Sequence, residues 1–391
     1  MVLAALLLPV ALVAIVLAVQ RFRLPAWLAL MVVVVGYSIA ADMTFQSIGK
    51  AFGLGFVAAL EQTGVLVVAG SLVGTLLLGQ PLAKPAAAIA GVVAGLGGSA
   101  TAGLALLLPA GRTERAVAAL ALTILIVHGL VAPSPLAVAA LSVMKADLHT
   151  MVRVAAPVAL VVALVAWLVA ARDKAKGTWS LGWIAIAVPL GLLVVQAIAQ
   201  MPTEPLGKGG AREFYTGISR SLILAVVAIA LAVVLSRRWQ PALLADTSWA
   251  PLLLAVGAAG GFARVLDETG MAELLAERVL DPRLGLAVPF LAAAIVKTMQ
   301  GNSLSAVLTA SGMVEPMLPA LGLDSDTGRA LAAAAAGVGS IAICHVNDPF
   351  FWIAADMAKL SPLKALHTIS LGSLLIAVGA LVLLFALSLV L

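Results

Sequence analysis

Apolar runs of about 20 residues recur from one end of this chain to the other, and very few folds accept that pattern. Val2–Val19, Leu24–Ala41, Ala86–Pro109, Val154–Ala171, Leu181–Ala199 and His367–Leu391 are each long enough to enter or cross a bilayer. Taken along the whole length they predict about ten to twelve membrane segments. Only 10% of the 391 residues are charged, against roughly 25% in a soluble domain, so a water-soluble fold is excluded. The runs are unbroken Ala/Leu/Val stretches rather than the alternating pattern of a membrane barrel. The predicted class is an all-α polytopic membrane protein.

The formal charge of +5 would suit a nucleic-acid binder, but the cations sit in short loops between apolar runs, where they orient a membrane protein. Nucleic acid is therefore not an expected partner, whereas membrane lipid is. Arg21/Arg23, Arg172/Lys174/Lys176 and Arg237/Arg238 are expected on one side of the membrane, the cytoplasmic one. The first run lacks a basic leader and a small-residue cleavage site, and reads as a retained span. Cys344, the single cysteine, can form no internal disulfide and reads as a small core residue.

Two segments break the hydrophobic pattern alike. Residues 86–109 carry Gly95-Leu96-Gly97-Gly98-Ser99-Ala100-Thr101 at their centre, and residues 284–321 carry Lys297-Thr298-Met299-Gln300-Gly301-Asn302-Ser303 between two apolar arms. Each reads as a helical hairpin with a polar tip. Each is followed by an apolar helix, a histidine and a proline-containing break: His128 then Pro133-Ser134-Pro135, and His345-Val346-Asn347-Asp348-Pro349. The same order of parts about 200 residues apart predicts an internal repeat. Residues 1–200 form one transmembrane repeat, 201–220 a polar extracytoplasmic loop, and 221–391 the second repeat. A further pairing, Glu61-Gln62-Thr63-Gly64 with Asp267-Glu268-Thr269-Gly270, is set aside, because Glu61 lies inside an apolar run and Asp267 at the end of one.

Non-helical backbone at membrane depth survives only where it is buried in protein or lines a wet cavity, so two breaks per half predict one central polar cavity. Half-helix N-termini meeting there favour an anion. Gly97, Gly98 and Gly301 allow close backbone approach. Ser99, Thr101, Ser134, Gln300, Asn302, Ser303 and Asn347 offer hydroxyl and amide partners suited to a hydroxy acid. Asp348, His345, His128 and Lys297 are the candidates for proton coupling, since ionisable groups are costly in lipid unless used or paired. Asp348 is also placed to cap the segment after it. Arg264 and Asp267, three apart at a helix end, read as a structural ion pair.

No metal-ligand spacing, phosphate-binding loop or nucleophile elbow competes with this reading, so neither an enzyme nor a cofactor is expected. Transport would be driven by an ion gradient or run downhill. The alternatives are a sodium-coupled carrier, with unwound carbonyls, Asn302 and Asn347 as Na⁺ partners, and an uncoupled facilitator.

These residues resemble the gluconate:proton symporter family, part of the larger ion-transporter superfamily. The resemblance rests on Gln300-Gly301 and the small residues after it, on His345-Val346-Asn347-Asp348 followed by Phe351-Trp352, and on His128-Gly129-Leu130-Val131 with Pro133 and Pro135. It implies a homodimeric carrier in the bacterial inner membrane, built from two inverted repeats with paired re-entrant hairpins and moving as an elevator. Its substrate would be a sugar acid or small hydroxy acid imported with protons. The sequence departs from the family pattern at Thr101, which stands where a Glu is usual, at Ser134, which replaces a second His, and at Asn302-Ser303-Leu304 in the second tip.

Overall fold

The structure is a computed structural model describing residues 2–76, 84–110, 113–171, 181–236, 249–270, 277 and 280–391. Among the described residues it holds helices and no strands. The basic residues Arg172, Lys174, Lys176, Arg237 and Arg238 lie outside them.

The chain opens with α1 (Val2–Gln20) and α2 (Ala26–Ala40), then α3 (Phe45–Ala59), which passes through a π turn (Leu60–Gly64) into α4 (Val65–Leu76). The first predicted hairpin is α5 (Lys84–Leu96) and α6 (Ala100–Leu106); α7 (Glu114–Leu130) and α8 (Pro135–Val143) follow, separated by the Val131–Ser134 break. Then come α9 (Leu148–Ala171), α10 (Ile184–Ala199), α11 (Gly210–Ile218), α12 (Ser221–Ser236) and α13 (Ala250–Glu268). The second hairpin is α14 (Ala287–Gln300) and α15 (Ser303–Val314), followed by α16 (Asp326–Gly339), an irregular stretch, and α17 (Pro349–Met357). A short α18 (Pro362–Ala365) runs through a second π turn into α19 (Leu371–Ser388).

Among the described residues six helices are long and apolar enough to cross a membrane, or seven if the bent α11–α12 pair is one span, and four shorter apolar helices accompany them. The expected ten to twelve segments thus include half-length arms as well as full crossings. Residues 201–220, expected as a loop, contain α11, none of whose residues is buried, and Arg212 and Lys208 pair there with Glu204.

Short helices inside a bilayer expose backbone N–H groups that lipid cannot satisfy. The sequence answers with a side-chain cap at each corresponding start. Ser99 caps α6 at Ala102 and Asn302 caps α15 at Leu304 and Ser305. Thr113 caps α7 and Ser325 caps α16. Ser134 caps α8, and Asp348 caps α17 through Phe350.

The packing is reciprocal. The first arm of each hairpin packs on the long helix after it, α5 on α7 and α14 on α16, while α6 packs on α17 and α15 on α8. Each hairpin therefore meets the broken helix of the other half. Small residues permit the closest crossings. In α16 the run from Ala330 to Gly339 is wholly buried, and Gly337 faces the carbonyl of Gly129 on α7 so closely that a Cβ there would overlap it. Gly55 of α3 and Gly260 of α13 meet in the same way.

A valine at position 337 would push α7 and α16 apart, and overpacking a tight interior costs about 1–3 kcal/mol or more. Gly337→Val is expected to lower the yield and thermal stability of detergent-purified protein, measured against Gly312→Val, whose Cβ would meet nothing within 4 Å.

Candidate functional site

Both hairpin tips, the starts of both post-break helices and the α3–α13 pair enclose one cavity of about 330 Å³. Gly98, Ser99, Ala100 and Thr101 line it from the first tip, and Gln300 to Ser305 from the second. Pro135 and Leu136 bring the start of α8, Pro349 and Phe350 that of α17, and His128 faces in from α7. Opposite these stand Gly55, Ala58 and Ala59 of α3, Gln62 and Thr63 of the π turn, and Gly260, Ala263, Arg264 and Asp267 of α13.

Four helix N-termini thus converge on one space, each carrying partial positive charge, although Pro135 and Pro349 have no N–H to offer and the Phe350 and Phe351 N–H groups of α17 are taken by Asp348. Of the charged side chains in the lining, Arg264 and Lys297 are balanced by Asp267 and Asp348. The helix ends supply the positive bias.

Lys297 sits in the last turn of α14, where Gly301 takes the left-handed conformation (φ 68°) and returns its N–H to the Lys297 carbonyl at 2.8 Å. A left-handed residue here lets the chain turn back toward α15 without a Cβ penalty. The same fold brings the Lys297 ammonium onto the Gly301 carbonyl at 2.9 Å and onto Asp348 Oδ2 at 2.5 Å. The two side chains are 1% and 7% exposed. This is a buried ion pair, and Lys297 does not reach out to a lipid interface.

Asp348 has two distinct oxygens. Oδ1 accepts the Phe350 N–H at 2.8 Å and caps α17, while Oδ2 takes the Lys297 ammonium and lies 3.2 Å from Cys344 Sγ. Capping and ion pairing coexist on one carboxylate.

A second polar chain ties the second tip to α13. Arg264 donates to Asp267 Oδ2 at 2.6 Å and to Glu268 at 2.7 Å, Gln300 Nε2 donates to Asp267 Oδ1 at 2.6 Å, and Ser305 donates to Gln300 Oε1 at 2.7 Å. The Arg264–Asp267 pair is present as expected, and both residues also line the cavity.

Four predicted site residues do not line it. Gly97 packs against Leu193 of α10. Ser134 caps α8 and donates to the His128 carbonyl. His345 and Asn347 face the end of α14, where His345 Nε2 pairs with the Thr298 carbonyl at 2.8 Å and Asn347 Nδ2 donates to Thr298 and Met299 carbonyls at 3.0 and 3.2 Å. They fasten the irregular stretch to the hairpin. His128 lines the cavity, with its Nδ1 on the Gly95 carbonyl at 2.9 Å.

Gln62, Thr63, Arg264, Asp267 and Ser305 also line the cavity, although they lie outside the residues that the tips and breaks of the sequence mark as a site. The signal existed in the paired Glu61-Gln62-Thr63-Gly64 and Asp267-Glu268-Thr269-Gly270 strings. Gln62, Thr63 and Asp267 line the same cavity, whereas Glu61 is not among its lining residues.

A known family shares this sequence. The family model for GntP family permeases matches residues 170–390, more than half of the chain. The chain belongs to the GntP permease family. The match contains the whole second hairpin, α16 and the Asp348 segment. The first tip and His128 precede the matched residues. Among curated relatives, the low-affinity gluconate transporter of Escherichia coli K12 is 35% identical over 133 residues, 34% of this chain and 30% of the relative. The gluconate permease of Pseudomonas aeruginosa is 29% identical over 152 residues, 38% of this chain and 33% of that protein. The high-affinity gluconate transporter of E. coli K12 is 28% identical over 206 residues, 50% and 45% of the two chains. The matched stretches thus span less than half the length of these relatives.

Proposed function

We propose that this GntP-family permease is a secondary carrier that imports a small hydroxylated carboxylate, a gluconate-like sugar acid, together with protons. The observation that carries the reading is the cavity in which both tips and both post-break helices meet. Its volume lies at the small end of ligand pockets. Its lining pairs helix N-termini, which suit a carboxylate, with Ser99, Thr101, Gln300, Asn302, Ser303 and Ser305, which suit a row of hydroxyls. The named relatives transport gluconate, and the family match covers the tip that carries Lys297 and the segment that carries Asp348. Asp348 is the proton-carrying group in this reading, because it is a buried carboxylate that lines the cavity.

The two halves act as inverted repeats, supported by their matched caps and reciprocal packing. The α3–α13 pair, closed by Gly55 and Gly260, serves as the static wall along which the hairpin group moves as an elevator. A bacterial inner membrane fits the sources of the relatives, and a homodimer is the assembly that the family resemblance implies.

The test is uptake. Purified protein in liposomes is expected to accumulate labelled gluconate, or another sugar acid of a hexonate and pentonate panel, when a proton gradient is imposed, and to stop on addition of a protonophore. Accumulation driven by sodium instead would replace the proton by Na⁺, and equilibration without accumulation would leave a facilitator.

A further inference from the structure

The buried pair in the cavity wall carries a more specific assignment, which rests on the carrier reading above. An ammonium has three N–H donors. Lys297 Nζ uses one on Asp348 Oδ2 and one on the Gly301 carbonyl, and Lys297 is among the residues that line the cavity. One donor remains for a molecule in the cavity. The other cation, Arg264, is held by two carboxylates of its own helix, so a third carboxylate would meet net negative charge there.

We propose that Lys297 binds the substrate's carboxylate, and that Asp348 takes up one proton as the carboxylate arrives. Two carboxylates on one buried ammonium would stand close together with a single positive charge between them, and in that position only one keeps its charge. The lining's fixed charges already cancel, so an anion alone leaves the cavity at −1 and an anion with a proton leaves it neutral. The proton comes from water and joins Asp348 at Oδ2, the oxygen facing Lys297. Oδ1 continues to accept the Phe350 N–H, so α17 stays capped while the ammonium passes to the substrate. The other charged or titratable groups around Asp348 are Cys344 and His345 of its own segment, His128 of α7, Arg264 and Asp267 of α13, and His367 of the π turn packed on α17. Of their side chains, among the described residues, only that of Cys344 is hydrogen-bonded to the Asp348 carboxylate.

Calorimetric titration of gluconate into the full-length purified protein, in two buffers of different ionisation enthalpy and across pH 5 to 9, tests this. Wild type is expected to take up one proton per gluconate bound, with affinity falling about tenfold per pH unit on the alkaline side. Asp348→Asn keeps an N-cap and is expected to bind gluconate with flat pH dependence and no proton uptake. Lys297→Gln is expected to weaken binding about 10- to 100-fold, the worth of a charge-assisted hydrogen bond. Should that single variant fail to fold, the double variant Lys297→Gln/Asp348→Asn, which leaves no unpaired charge, must show the same weakening without proton uptake. Proton uptake that persists in Asp348→Asn, or wild-type affinity in either Lys297 variant, overturns the assignment. Wild type that binds gluconate without any pH dependence also overturns it while leaving the carrier standing. Wild type that binds no member of the sugar-acid panel removes both.

Discussion

Gly301→Ala is expected to reduce carboxylate uptake by about 100-fold or more, although it adds only one methyl group. At φ 68° a side chain already costs roughly 1–2 kcal/mol. A Cβ at this position would also overlap the Asn347 carbonyl oxygen and lie 2.9 Å from the Asn347 Cγ. Tip and irregular stretch would have to separate. Such a shift would move the Gly301 carbonyl, one of the two acceptors on Lys297, and open the cavity where Asp348 lines it. Gly322 provides the control, since it has the same backbone conformation (φ 70°) with nothing within 4 Å of a Cβ. Gly322→Ala should carry the strain alone and retain most of the uptake. Equal loss in the two variants, measured as initial rates in liposomes at matched protein content, would contradict the close approach at Gly301.

The second large effect is on stability. Lys297→Met removes the cation from a pair in which Asp348 is buried, leaving a buried carboxylate with no counter-charge. Breaking one side of a buried ion pair costs about 3–5 kcal/mol, whereas neutralising both partners is often nearly free. Thermal unfolding of purified protein is therefore expected to show a large drop for Lys297→Met and recovery of most of it in Lys297→Met/Asp348→Asn. A single variant as stable as wild type would mean that the pair is not formed.

These residues show what the sequence made legible. Glycine and amide clusters inside apolar runs are so unusual at membrane depth that the two tips could be read directly, and both line the cavity. Asp348 was readable both as a cap and as a cavity residue for the same reason: an acid before proline at a helix break has few other uses. Lys297 was placed near the site, but its partner, 51 positions away, is a matter of how α14 packs against the stretch before α17.

The rest depended on long-range packing. His345 and Asn347 belong to a conspicuous polar string, yet they serve the backbone of α14, because broken helices need side chains to satisfy carbonyls as well as to bind substrate. The wall made by Gln62, Thr63, Arg264 and Asp267 comes from the crossing of α3 and α13 at Gly55 and Gly260, 205 positions apart. No local pattern announces such a crossing. The division of the apolar runs into full spans and half-length arms was likewise hidden, since hydropathy records composition and not where a helix ends.

That both halves share one carboxylate site is tested most directly by substrate protection. Thr101→Cys in the first tip and Ser303→Cys in the second, each with Cys344→Ser, place one reactive thiol at either side of the cavity. Labelling by a small water-soluble thiol reagent is expected to slow at both positions as gluconate is added, with the same half-maximal concentration. Protection at one tip only, or at neither while gluconate is still transported, would contradict a single site built from both halves.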